Sequence, residues 1–91
     1  MYYVYIMTNY TNSVLYIGVT NNLPRRVEEH KSGKIEGFTQ RYKVKRLIYA
    51  ENYDSIKQAI QREKYLKGLL RSKKEELINH VNPKWEEILP F

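Results

Sequence analysis

The chain opens on an unbroken run of strand-forming residues. Residues 2–8, YYVYIMT, are β-branched and aromatic, with no Gly or Pro, and predict a strand. Its period of two puts Tyr3, Tyr5 and Met7 on one side and Tyr2, Val4 and Ile6 on the other. A polar turn follows, Asn9-Tyr10-Thr11-Asn12-Ser13, and Val14–Thr20 then reads as a second strand, so the two form an antiparallel hairpin. Asn21-Asn22-Leu23-Pro24 carries the marks of a helix start: Asn caps, and Pro suits the first turn. That helix runs from about Leu23 to Ser32 and stops near Gly33, with little apolar content beyond Leu23 and Val27. Residues 33–45 read as a loop, and Arg46–Glu51 as a third strand. Asp54-Ser55 caps a long helix, about Ile56 to Leu70, whose apolar stripe is Ile56, Ala59, Ile60, Leu66 and Leu70. Arg71-Ser72 breaks the pattern before a last helix, Lys73 to His80. In the tail, Trp85, Ile88 and Leu89 call for burial, so the tail is expected to dock. The order β-β-α-β-α-α predicts an α+β domain: a small, three-stranded, mostly antiparallel sheet with helices packed on it.

Composition narrows the class. Ninety-one residues make one domain, 1–91, able to bury one core. There are no repeats and no linker. With 42% hydrophobic and 29% charged residues the chain is too apolar to be disordered. The absence of Cys excludes a disulfide scaffold, a Cys nucleophile and Cys-ligated zinc, and fits a cytoplasmic protein. No apolar run approaches the roughly 18 residues of a membrane span, and the N-terminus does not read as a signal peptide. The net charge of +6 favours anionic partners, nucleic acid among them. Nine of the aromatics are Tyr, which suits hydroxyls kept at a surface or in a cleft.

Five side chains stand out against this frame. Glu63 lies seven residues after Ile56 and three before Leu66, within the stripe that should meet the sheet. A carboxylate there needs a salt bridge, with Lys67 or Arg26, or a divalent metal. Arg26 and His30, four apart, share a helix face; they are either solvated or a pair that clamps a phosphate and handles a proton. Tyr5 and Tyr16 read as core tyrosines on propensity alone. Gly18, inside a strand, marks a bulge or a close approach to the backbone. The cluster Arg41, Lys43, Lys45 and Arg46 is a basic face, and the interleaved Tyr42 suits backbone contact plus stacking on nucleic acid.

Taken together these residues are similar to the GIY-YIG nuclease superfamily, in particular its small single-domain members. Tyr3-Val4-Tyr5 stands where the GIY tripeptide stands, with Tyr3 replacing its Gly, and Tyr16-Ile17-Gly18 is the YIG tripeptide itself. The segments Leu23–His30, Arg62–Lys67 and Asn82-Pro83-Lys84-Trp85 fit the same pattern over nearly the whole chain. The resemblance implies hydrolysis of DNA phosphodiesters with one divalent metal, Mg²⁺ or Mn²⁺, bound by Glu63. It further implies that Arg26 stabilises transition-state charge, that Tyr5 or Tyr16 positions or deprotonates the attacking water, and that His30 orients that Tyr. Gly18 would leave room for the scissile phosphate, while Arg41, Lys43, Lys45 and Lys67 meet the DNA backbone. A role on branched or damaged DNA, in repair or recombination, would follow. Two other functions fit the same residues: a nucleic-acid-binding module with little turnover, and a subunit that depends on a protein partner for specificity.

Overall fold

In the computed structural model, which describes residues 1–35 and 37–89, the first strand of the chain is the centre of the sheet. β1 (Tyr2–Thr8) pairs antiparallel with β2 (Leu15–Thr20) on one side and β3 (Arg46–Tyr53) on the other, in the order β2-β1-β3. Both edges of β1 are therefore paired, and its alternation sorts side chains into two cores, one on each face. Val4 and Ile6 join Ile17, Ile48, Ala59, Leu66 and Ile78 on one face. Tyr5 and Met7 join Leu23, Val27, Val44 and Leu47 on the other. The fold is α+β, as its strand and helix pattern predicts.

Local chemistry explains each element. The β1–β2 turn closes on Asn9, whose Oδ1 accepts from the amides of Ser13 (2.9 Å) and Val14 (3.3 Å), while Asn12 takes φ 58°. Asn tolerates that left-handed conformation better than most residues. α1 (Leu23–Lys31) starts on Asn22, whose side chain accepts from the Arg25 amide, with Pro in the first turn. α3 (Ile56–Lys67) starts on Ser55, which accepts from the Gln58 amide. In β3 a bulge falls opposite Ile6/Met7, so Ile48 and Tyr49, adjacent in the chain, both join the same core.

Three expectations change. The 33–45 segment contains a short helix, α2 (Phe38–Arg41), closed by a Schellman motif. Its amide bonds run from Val44 to the Thr39 carbonyl (2.9 Å) and from Lys43 to that of Gln40 (3.3 Å), with Lys43 at φ 55°. The last helix, α4 (Arg71–Val81), begins at Arg71, because the amides of Lys73 and Lys74 bond the Leu70 carbonyl. The stripe of α3 is narrower than its apolar residues suggest. Ala59 and Leu66 are buried, whereas Ile56, Ile60 and Leu70 are exposed. The inward face instead runs Ala59, Arg62, Glu63, Leu66, at the i, i+3, i+4, i+7 spacing, so two charged residues sit where the sheet is met.

The tail docks, but by polar contacts. Asn82 Nδ2 donates to the Ile48 carbonyl (2.9 Å), Trp85 Nε1 to Asn79 Oδ1 (2.6 Å) and the Ile88 amide to the Leu47 carbonyl (2.8 Å). Trp85 is half-buried, while the Ile88 and Leu89 side chains stay exposed. The tail thereby occupies backbone acceptors of edge strand β3 around its bulge, a place where an uncovered edge would invite pairing. Among the described residues no helix is long and apolar enough to cross a membrane.

Candidate active site

Tyr5 lies in mid-β1, directly opposite Gly18 of β2. A Cβ at position 18 would stand 2.5 Å from the Tyr5 hydroxyl oxygen and 2.6 Å from Cζ. The missing side chain thus makes room for the phenol of Tyr5, which crosses the sheet surface over Gly18. The space expected to admit a phosphate is filled by this ring.

The phenol reaches α1. Its oxygen shares a 3.1 Å hydrogen bond with His30 Nε2 and accepts a longer one, 3.4 Å, from Arg26 NH1. The capped start of α1 sets its phase, so that Arg26 and His30, one turn apart, both face the ring. Arg26 is held twice more: NH1 donates to the Val19 carbonyl on β2 (3.4 Å), and Nε to Glu29 (3.2 Å). Tyr16, on β2, packs its ring edge-on to His30 at 5.2 Å and tilted against Tyr5 at 6.2 Å. Four of the five predicted side chains, with Gly18, therefore form one cluster.

Burial differs sharply inside it. Tyr5 is sealed and His30 nearly so, whereas Tyr16 is half-buried and Arg26 half-exposed. Burial pushes the Tyr5 phenol up to about 12, although Arg26 pulls the other way. Burial, with the Arg26 charge second, drives His30 down to about 4. At neutral pH the cluster holds a neutral phenol, a neutral imidazole and one cation. His30 Nδ1 is buried without a hydrogen-bond partner among the described residues, whereas buried polar atoms are normally paired.

Glu63 approaches from elsewhere. α3 packs in the core on the opposite sheet face from α1, and the Glu63 carboxylate pairs with Lys67 at 3.3 Å, not with Arg26. It forms no hydrogen bond or ion pair with the Tyr5 cluster among the described residues, and no group of three or more His, Asp or Glu there could hold a metal. The basic residues also separate. Lys43 and Lys45 line one cleft, Arg41 lies 5.6 Å over the Tyr42 ring, and Lys67 is taken by Glu63.

Two partners escaped the sequence reading. Glu29, three residues after Arg26, was visible as an i, i+3 charge pair. The Val19 carbonyl, a main-chain group, had no sequence signal at all. A second polar knot also emerged: Glu51 of β3 accepts from Arg62 Nε (3.0 Å) and NH2 (2.9 Å), from the Tyr53 hydroxyl (2.7 Å) and from the Tyr49 hydroxyl.

An antiparallel three-stranded sheet, with an arginine and a histidine on one helix turn facing two strand tyrosines, now stands beside what is known of other proteins. Residues 1–76 match the model of the GIY-YIG catalytic domain, and the chain belongs to this GIY-YIG nuclease family. It is 39% identical over 77 residues to a UPF0213 protein of Natronomonas pharaonis, covering 85% of this chain and 89% of that one. A UPF0213 protein of Clostridium perfringens is 37% identical over 86 residues, covering 94% and 91%. The solution NMR structure of a UPF0213 protein of Bacillus halodurans aligns with a TM-score of 0.60 at 33% identity, over 94% of this chain and 92% of that chain.

Proposed function

We propose that this protein is a divalent-metal-dependent endonuclease that hydrolyses DNA phosphodiester bonds. The observation that carries the reading is the arginine held over a buried Tyr–His pair. The Arg26 guanidinium, fixed by Tyr5, Val19 and Glu29, keeps its exposed side for a phosphate. A cation set in place before the reaction stabilises charge that develops on the phosphoryl oxygens without reorganising. Tyr16 is the more accessible phenol, so it is assigned to the attacking water, with Tyr5 and His30 as positioning residues for Arg26 and for each other.

Glu63 fits a hydrated Mg²⁺ or Mn²⁺: its side chain is 19% exposed and its partner Lys67 is an exposed, flexible cation that can swing away. Mg²⁺ commonly keeps several waters and takes one or two carboxylates, the rest of its shell coming from substrate phosphate. When bound, the metal supplies Lewis-acid polarisation of a phosphate oxygen. Branched or damaged DNA, as met in repair or recombination, is the substrate class proposed, and a protein partner would add target choice.

The test is cleavage of supercoiled plasmid and of labelled branched, flapped and linear DNAs in Mg²⁺, Mn²⁺ or EDTA. Metal-dependent cutting that disappears in Glu63→Ala and Arg26→Ala is the expected result. Tight, salt-sensitive binding without cutting would replace this reading with that of a nucleic-acid-binding module.

A further inference from the structure

A cleft of about 770 Å³ opens at the hairpin end of the sheet, lined by Tyr10, Asn12, Lys31, Lys43, Lys45, Arg46 and Glu87. Four of these carry positive charge. Arg46 forms its back wall, since its guanidinium is committed to the Asn9 carbonyl (3.1 Å), Asn12 Oδ1 (2.7 Å) and the Trp85 carbonyl. That knot ties hairpin, strand and tail into one fixed rim. Lys43 and Lys45 are exposed and have no carboxylate partner among the described residues. Lys31, the residue after His30, pairs with Glu87 of the tail, so a carboxylate already sits in the cleft where an anion would. Tyr10 stands at the mouth, 94% exposed.

The backbone adds an independent observation. Lys43 holds the C′ position of the Schellman motif that ends α2, at φ 55°. Glycine is the favoured residue there, because a side chain in the left-handed region meets its own carbonyl. Lys43 therefore adopts a conformation that favours glycine, and strain of this kind gathers at functional sites.

We propose that this cleft is a second phosphate subsite, which seats an unpaired DNA strand leading away from the scissile bond. Lys31, Lys43 and Lys45 take the backbone, Tyr10 stacks a base, and Glu87 is the internal anion that the strand displaces. A basic groove that tracks the backbone beside a stacking aromatic is the way proteins hold single strands without reading sequence. Lys31 of the cleft follows His30 on α1, so the cleft shares the helix that carries Arg26 and His30. The inference rests on the nuclease reading for the identity of the anion as DNA.

Binding is measured by fluorescence anisotropy with a labelled oligothymidine and with a duplex of equal length, in EDTA, so that no cutting occurs. Lys43→Gly is the discriminating variant because it should melt higher than the parent and yet bind the oligothymidine more weakly. Its salt slope should fall by about 0.7, the value for one phosphate contact on a single strand. Tyr10→Ala should lose at least about fivefold for the single strand and much less for the duplex. Glu87→Gln should bind both more tightly. Unchanged single-strand binding by a stabilised Lys43→Gly overturns the proposal, as does equal loss for both DNAs in Tyr10→Ala or weaker binding by Glu87→Gln. A chain that obeys the binding expectations but never cuts keeps the subsite and refutes the nuclease. A chain that cuts with Lys43→Gly binding unaltered does the reverse.

Discussion

Gly18→Ala should dismantle the site from beneath. The added methyl would lie 2.5 Å from the Tyr5 oxygen and 2.6 Å from Cζ, both closer than Cβ contacts allow, and 3.0 Å from Cε1, which is tight. The ring is flat, stiff and fully buried between Tyr16 and His30, so it has no free volume to retreat into. Overpacking of this kind costs about 1–3 kcal/mol. Displacing the phenol also separates it from His30 and Arg26, and stranding a buried polar partner adds about 1–3 kcal/mol. The sum, about 2–6 kcal/mol, is a large share of the roughly 5–15 kcal/mol that holds a small domain together. Urea unfolding followed by circular dichroism would measure it. A double-mutant cycle isolates the cause. With Tyr5→Ala as background the space above position 18 is empty, and Gly18→Ala should then be neutral or slightly stabilising, since Ala outperforms Gly within a strand by about 0.5–1 kcal/mol. Equal destabilisation by Gly18→Ala in both backgrounds would refute the steric argument.

Three further outcomes follow from the geometry. His30 titrates near 4 when folded against 6.5 when free, so the unfolded chain takes up a proton there that the folded one refuses. Its contribution is full above pH 6.5 and shrinks by up to about 3 kcal/mol as pH falls toward 4; urea midpoints of His30→Gln should fall less steeply over that window than those of the parent. Glu63→Gln should abolish metal-dependent cutting in the plasmid assay yet change stability by less than about 0.5 kcal/mol, because an i, i+4 pair with an exposed lysine contributes little. Glu51→Ala should cost about 2–4 kcal/mol in the same unfolding measurement, since it strands the Arg62 guanidinium and two tyrosine hydroxyls at once; a loss below about 0.5 kcal/mol would contradict the hydrogen-bonded knot.

Period and punctuation made most of this fold legible. The alternation of 2–8 assigned both faces of β1 correctly, because a strand buried on two sides must sort its side chains between two cores. Arg26 and His30 were placed on one helix face by spacing alone, and Glu63 by its place among the inward positions of α3. Ile56 and Ile60 misled for a physical reason. They are apolar residues at the start of α3, but the helix phase that buries Ala59 and Leu66 leaves them outside and brings Arg62 inward, where Glu51 pairs it. The Lys43 Schellman closure was hidden because its usual marker, glycine, is absent. What joined Tyr5 to Arg26 and His30 was legible only through resemblance, since no local pattern links β1 to α1 across more than twenty residues.

The position of β1 has a consequence for the order in which this protein comes apart. The middle of a strand laddered on both sides is expected to exchange its amides near the global opening free energy, whereas edge strands and short helices such as α2 open locally at lower free energy. Tyr5 belongs to that slowest-exchanging strand, and Arg26 is anchored to it. Tyr5 thus sits in the part of the sheet expected to open last, while Tyr10, Lys43 and Lys45 of the proposed strand-holding cleft lie in segments outside the sheet.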